Sequence, residues 1–273
     1  YKALCTTNLT TPTITNGANY MAATIYTGTG GNQTISNAVN GVSFQPDLAW
    51  LKDRSASGNH QLFNSIVGAG TALASNLTNA EFGSGGLNAF NSNGFSGNIG
   101  STDNYVAWQW KAGGTPAVTN TSGSITSTVS ANTTTGFSIV TYTGTGVNAT
   151  VGHGLGVAPS MVIVKPRTGV TSYGWRVYHA SVGATKYLLL NSTDPSATFG
   201  DWNNTAPTST VFSVGSTSPQ VTNDGSSTYV AYCFAAVAGY SAFGSYTGNG
   251  SADGPFVYCG FRPRWVLRKV SSG

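Results

Sequence analysis

The chain has 273 residues, 40% hydrophobic and 11% aromatic, yet only 7% charged, where soluble globular proteins carry about 25%. This apolar content excludes intrinsic disorder, the 36 glycines follow no Gly-X-Y period and so exclude collagen, and no apolar run approaches the ~18 residues of a membrane helix. The net charge of +4 comes from basic residues that cluster only at Arg262, Arg264, Arg268 and Lys269, which argues against nucleic acid as a partner and reads as a solvated strand edge.

Residues 1–19 contain Thr-Thr-Pro-Thr and no strong periodicity, so they read as a lead-in from an upstream domain. The first residue is Tyr1, no basic-then-hydrophobic leader follows it, and the chain reads as a fragment or processed product. From Tyr20 onward the sequence repeats itself. Ile25-Tyr26-Thr27-Gly28-Thr29-Gly30 returns as Thr141-Tyr142-Thr143-Gly144-Thr145-Gly146 and as Ser245-Tyr246-Thr247-Gly248-Asn249-Gly250. Downstream, Pro46 to Lys52 matches Pro159 to Lys165 and Pro263 to Lys269, in each case a Pro, mostly apolar residues, then a Lys. Two copies continue further: Leu62-Phe63-Asn64 aligns with Val177-Tyr178-His179, Leu73 with Leu188, and Tyr105 to Trp110 with Tyr229 to Phe234.

These matches place one β repeat at 20–113, a Thr/Ser/Asn-rich linker or exposed hairpin at 114–135, a second repeat at 136–236 and a partial third at 237–273. The third copy is too short to close its own core, so either the natural chain continues or its strands pair with a neighbouring unit or subunit.

Val106, Trp108 and Trp110 alternate with Tyr105, Ala107 and Gln109, a period of two that predicts a strand; Val230, Tyr232 and Phe234 share the phase. The Pro-led segments are apolar without alternation, as in a strand covered on both faces, and Lys52, Lys165 and Lys269 stand where the strand end reaches water. Asn40-Gly41, Asn93-Gly94 and Asp224-Gly225 mark turns, and only Thr71 to Phe82 suits a helical turn or two. The fold class is therefore all-β, with tandem antiparallel, jelly-roll-like β-sandwich repeats of about 100 residues.

Chemistry-bearing groups are sparse. Cys5, Cys233 and Cys259 are widely separated and read as inert buried thiols. The one Glu, Glu81, and seven Asp offer few carboxylate pairs; Asp194, Asp201 and Asp224 fall in loops and read first as turn formers. His60, His153 and His179 have no nucleophile elbow beside them, His153 suits a turn, and no phosphate loop or metal-ligand spacing is present. Enzyme activity is disfavoured and no cofactor is expected. Surface recognition remains, by aromatic rings with amide and acidic neighbours. The candidate ligand-binding set is Asp201, Trp202, Asn203 and Asn204 with Tyr173, Trp175, Arg176 and His179; Trp202 is the preferred exposed ring, while Trp50, Trp108 and Trp110 are assigned to cores.

Tyr1-Lys2-Ala3-Leu4-Cys5-Thr6-Thr7-Asn8-Leu9, the Tyr-Thr-Gly-Thr-Gly motif, Val151-Gly152-His153-Gly154-Leu155 with Pro159 to Lys165, and Tyr229-Val230-Ala231 together resemble a repeated domain of bacteriophage tail-fibre and related virion appendage proteins, especially from marine and cyanobacterial phages. The resemblance implies a virion structural protein, a homotrimer exposed at the virion surface. It would touch a host-cell glycan or surface protein and other virion proteins without membrane insertion. It transfers no catalytic residue. Two alternatives stay open: an architectural appendage subunit without receptor contact, and a polysaccharide-depolymerising tailspike.

Overall fold

The computed structural model describes residues 12–98, 102–170 and 172–272. Among them there is no α-helix, and the regular structure is all β apart from two short 3₁₀ turns. The strands of the first half are β1 (Met21–Thr27), β2 (Asn32–Ser36), β3 (Leu48–Asp53), β4 (Gln61–Asn64), β5 (Gly68–Ala74), β6 (Phe82–Gly83), β7 (Ala89–Asn91), β8 (Gly94–Asn98) and β9 (Asn104–Trp110). They form a six-stranded sheet in the order β1-β9-β3-β4-β5-β6 and a three-stranded sheet, β2-β8-β7.

The second half comprises β10 (Val118–Asn120), β11 (Ser127–Asn132), β12 (Phe137–Thr143), β13 (Ala149–Gly152), β14 (Met161–Pro166), β15 (Arg176–His179), β16 (Lys186–Leu189), β17 (Ala197–Thr198), β18 (Val211–Val214) and β19 (Thr228–Phe234). Its main sheet runs β10-β11-β12-β19-β14-β15-β16-β17, and β13 pairs with β18 apart from it.

Apart from β10 and β11, the two main sheets have one strand order: β12, β19, β14, β15, β16 and β17 stand where β1, β9, β3, β4, β5 and β6 stand. Their registers agree as well. Tyr26 lies opposite Tyr105 and Tyr142 opposite Tyr229; Trp50 lies opposite Trp108 and Ile163 opposite Tyr232; Leu62 lies opposite Leu73 and Val177 opposite Leu188. Each of these pairs joins residues that the sequence alignment of the copies equates. A one-residue slip would turn every side chain to the wrong face, so the agreement is a strong constraint.

The Tyr-Thr-Gly motif shows what the repeated residues do. Its tyrosine stacks on the first tyrosine of the last strand, Tyr26 on Tyr105 with ring centroids 5.4 Å apart and Tyr142 on Tyr229 at 4.9 Å. Its glycine then donates its N–H back across the sheet end, Gly28 to the Asp103 carbonyl at 2.9 Å and Gly144 to that of Ser227 at 3.0 Å. A Cβ on Gly144 would lie 2.0 Å from the Asp224 carbonyl oxygen. The motif thus closes the end of the sandwich. Gly144→Ala should cost about 1–3 kcal/mol by forcing that backbone apart, measured as a lowered urea midpoint at unchanged slope.

Because both faces of the main sheets are covered, alternate residues of one strand enter different cores. In β3, Leu48 and Trp50 join a core that also holds Ile163, Val177 and Tyr232 of β14, β15 and β19, whereas Ala49 and Leu51 join Ile35 and Phe95 of the small sheet. In β14, Met161 and Ile163 face the first of these, and Val162 and Val164 face Val151 and Phe212 of β13 and β18. The molecule is therefore stacked in four layers, small sheet, main sheet, main sheet, small sheet, with a core in each of the three gaps. Continuous apolar runs in β3 and β14 follow from this stacking, as anticipated for strands covered on both sides.

Of the two readings of residues 114–135, linker or exposed hairpin, the hairpin holds: β10 and β11 form one that extends the second main sheet, with Ile125 and Val129 buried in its outer core. Three details depart from the sequence reading. Thr71 to Phe82 is not helical, because β5 occupies its first part and β6 begins at its end. Lys165 does not reach water. It is fully buried, its Nζ donates to the carbonyls of Thr78 (2.9 Å) and Pro166 (3.1 Å), and burial lowers its pKa to about 8. The first half, through Thr78 and Glu81, covers this strand end, whereas Lys52 at the equivalent place stays half-buried and binds carbonyls of its own loop, Asp53 and Ala56. Finally, Phe261 to Lys269 lies outside any strand; the last paired residues of the described chain are Val237 and Ser241, joined by an isolated bridge.

Candidate functional site

The residues singled out for ligand contact are set mainly by β15 and by the loop after β17. Adjacent residues of β15 point to opposite faces of the sheet, so Trp175, just ahead of it, and Arg176 cannot share a surface. Trp175 is wholly buried in the core between the main sheets; its Nε1 donates to the carbonyls of Ala74 (3.0 Å) and Leu77 (3.2 Å), and its ring stacks on Tyr232. It is a bolt between the two halves rather than a sugar platform.

Trp202 is likewise not an exposed ring. The 3₁₀ turn Gly200–Trp202 folds it inward until it is 1% exposed and meets Tyr178 edge-on at 5.9 Å. The turn is fixed from beneath, because Gly215 donates to the Asp201 carbonyl at 2.9 Å and Thr222 Oγ1 donates to the same oxygen at 2.7 Å. Asn203 and Asn204 then take left-handed conformations, φ 48° and 50°, and carry the chain back to the surface, where both are exposed. Asn is the non-glycine residue best suited to that backbone, which accounts for the pair without a ligand.

Asp201 and Arg176 do come together, inside the outer core. Arg176 Nε stands 3.2 Å from Asp201 Oδ2, and its guanidinium lies over the Tyr187 ring at 3.9 Å. Both carboxylate oxygens and the Trp202 Nε1 are buried without a hydrogen-bond partner. Burial raises the Asp201 pKa to about 6, outweighing the attraction of Arg176. Tyr173 is half-buried ahead of β15. His179, at the far end of β15, is also half-buried: its Nδ1 accepts from Ser181 N–H, its ring lies against Phe243, and burial lowers its pKa. The eight candidates are thus dispersed over two cores and separate surface loops and form no common contact surface.

The remaining reactive groups are engaged locally. Asp224 accepts from Ser226 and Ser227 and Asp194 from Ser192, as turn formers do. Asp47 is buried and accepts from Ser65 Oγ and the N–H groups of Ala112 and Gly114. Glu81 pairs with Arg167 through two contacts, 2.7 and 3.1 Å, bridging the halves. His153 is buried, with Nδ1 accepting from Leu155 N–H and Nε2 beside the Thr208 carbonyl. Of the thiols, Cys233 is buried, Cys259 is only half-buried, and Cys5 lies outside the described residues, as does the rest of the Tyr1 to Leu9 segment. Among the described residues no group of three His, Cys, Asp or Glu side chains could hold a metal.

Where, then, can a partner be met? A pocket of about 240 Å³ opens beside the β10–β11 hairpin between Pro116, Val118, Asn120 and Gly154, with no charged group in its wall. The larger feature is the C-terminal segment. Among the described residues, seven of the eleven large exposed hydrophobics belong to it: Tyr246, Phe256, Val257, Tyr258, Val266, Leu267 and Val270, with Phe256 87% exposed. Arg262, Arg264 and Arg268 are exposed beside them. The segment is held to the body at Trp265 and Lys269, and just beyond them the Ser271 carbonyl accepts from Ser196 N–H (3.2 Å) and Oγ (2.7 Å). Trp265 sits against Trp50 and Trp110, centroids 6.2 and 5.2 Å away, and Lys269 Nζ donates to the carbonyls of Ser192 (2.7 Å) and Asp194. Sequence reasoning missed Phe256 and Tyr258 because it treated the segment as the start of another sandwich; the available signal was the want of a strand to pair with it.

No curated protein and no solved structure matches the chain. A family model described as a domain of unknown function (DUF7483) matches residues 16–273, nearly the whole length, and the chain belongs to that family.

Proposed function

We propose that this protein is a non-enzymatic attachment module of a bacteriophage virion appendage, built from two copies of one β-sandwich module. It would act as a homotrimer and make contact with a host-surface glycan or protein through its C-terminal segment. The observation that carries this reading is the concentration of exposed apolar and aromatic side chains in Tyr246 to Val270, on a chain with almost no surface charge elsewhere. Patches of this kind mark interaction sites, and Tyr246, Phe256 and Tyr258 offer the ring faces that stack on sugars. The engagement of Asp47, Glu81, Asp194, Asp201 and Asp224 in ion pairs and turns supports a binding role over a hydrolytic one, which needs two free carboxyl groups across a groove.

The test is retention of the labelled protein on bacterial cells and on an array of bacterial surface polysaccharides, with its mass measured by light scattering. A trimer whose retention falls about tenfold or more in Phe256→Ala and Tyr258→Ala is expected, the loss of roughly 1.4 kcal/mol per contact. A strict monomer retained on none of these surfaces, or one that releases reducing ends from the polysaccharide, would contradict the proposal.

A further inference from the structure

The net charge of the molecule is concentrated in one stretch. Residues 237–273 hold Arg262, Arg264, Arg268 and Lys269 against a single acid, Asp253, a net +3 of the chain's +4. Arg167 and Arg176 meet the carboxylates of Glu81 and Asp201. Among the described residues no carboxylate lies within ion-pair distance of Arg262, Arg264 or Arg268, and all three are exposed. We propose that these three arginines form a binding site for an acidic polysaccharide, one whose sugars carry carboxylate or phosphate groups. The proposal rests on the attachment reading above and names the class of glycan that the segment takes.

Placement, chemistry and neighbours point to this ligand. Trp265 is docked on Trp50 and Trp110, and Lys269 is spent on the carbonyls of Ser192 and Asp194. Arg264 and Arg268 each precede one of these anchored residues, so the fold presents them in place instead of leaving them on a loose tail. Arg262 stands six residues before Arg268, so the three charges fall within about 20–22 Å of chain, a linear array suited to a linear polyanion. A guanidinium is always charged, and its planar fork meets a carboxylate or phosphate through paired N–H···O bonds. The exposed rings of Tyr246, Phe256 and Tyr258 in the same segment supply faces for the apolar sides of sugars. A bilayer surface fits less well, because Trp265, the side chain type most favoured at a membrane interface, is turned onto the body. A nucleic acid calls for a wider basic field, and outside this segment the chain nets only +1.

The experiment titrates the full chain into fluorescently labelled polymer fragments and follows their anisotropy: alginate, which bears carboxylates, a ribitol-phosphate polymer, which bears phosphates, and dextran as the neutral control. Saturable binding of at least one acidic polymer and none of dextran is expected, and the polymer that binds identifies the anion. Combining Arg262→Gln, Arg264→Gln and Arg268→Gln should weaken binding about tenfold or more and flatten its salt dependence, since fewer counterions are displaced. Melting of the unbound chain should stay unchanged, because the three side chains are exposed. Arg54→Gln, at an exposed arginine of the first half, should alter neither quantity. Binding of neither acidic polymer, equal binding of dextran, indifference to the triple change, or an equal loss in Arg54→Gln would each overturn the proposal. So would tighter arginine-dependent binding to single-stranded DNA or to anionic lipid vesicles. Cell retention that Phe256→Ala abolishes and the triple variant keeps would overturn this inference and leave the attachment reading standing; arginine-dependent polymer binding without cell retention would do the reverse.

Discussion

Replacing Trp175 with alanine should remove about 3–5 kcal/mol from the stability of the whole molecule, the range for truncating a fully buried aromatic. Three losses combine. The indole is 0% exposed, so its removal leaves a large void in the core shared by the two main sheets. Its stack on Tyr232 is lost, and the carbonyls of Ala74 and Leu77 lose the indole donor, Ala74 keeping the Leu77 N–H. Those two carbonyls belong to the first half and the tryptophan to the second, so the change strikes the joint between them. Trp175→Phe should fill most of the volume without restoring the donor, falling between wild type and alanine. Urea unfolding followed by circular dichroism measures both. A Trp175→Ala protein within 1 kcal/mol of wild type, roughly the effect of a surface change, would mean that the indole is not the bolt described above.

The Arg176–Asp201 pair should show a large non-additivity. Asp201→Asn leaves the guanidinium buried without its counter-charge and is expected to cost about 3–5 kcal/mol, and Arg176→Met, which strands the carboxylate, a similar amount. Together, Arg176→Met with Asp201→Leu should return most of the loss, since apolar replacement of a buried pair is often neutral.

The pH dependence isolates the carboxyl. Its folded pKa, raised to about 6, lies above the unfolded value of 3.8, so between these limits the folded state holds more protons than the unfolded one. Its contribution to stability therefore grows as pH falls through 6 toward 4, by about 3 kcal/mol in all. His153 and His179 act oppositely: burial lowers their pKa, so their contribution is lost as pH falls below 6.5. Only the difference between wild type and the double variant, titrated from pH 7 to 4, reports Asp201 alone. A difference that does not grow toward pH 4 would count against the raised carboxyl pKa.

The strands were legible wherever one rule controlled them. Alternation along Tyr105 to Trp110 gave β9, and the unbroken apolar run after Pro159 gave β14 with both faces covered, because period and run length follow directly from which sides of a strand are dry. Register was not read from the sequence; the structure supplies it, placing Trp50 opposite Trp108 and Ile163 opposite Tyr232.

The site was not legible, for a reason Trp202 illustrates. A tryptophan flanked by Asp and two Asn in a loop reads as exposed, yet a single 3₁₀ turn reverses the ring into the core, and that turn is held by Gly215 and Thr222, the latter 21 residues from the Asp201 carbonyl it binds. Trp175 was assigned to ligand contact, and its burial was not foreseen, for a different cause. Its partners Ala74 and Leu77 belong to the other half, and the stacking of one main sheet on the other leaves no local periodicity to detect. Lys165 is the same lesson on a smaller scale: its sequence place matches Lys52, but the first half covers its strand end through Thr78, while the strand end at Lys52 stays partly open.

The central physical claim is that two sandwiches with equivalent strand order share a third core and so stand or fall together. Native-state hydrogen exchange under increasing urea tests this most directly, by comparing the slowest amides of β3 and β9 with those of β14 and β19. The two groups should merge into one opening free energy in the wild-type chain and separate in Trp175→Ala. Distinct opening energies in the wild type, unmoved by that substitution, would show two sandwiches that merely adjoin.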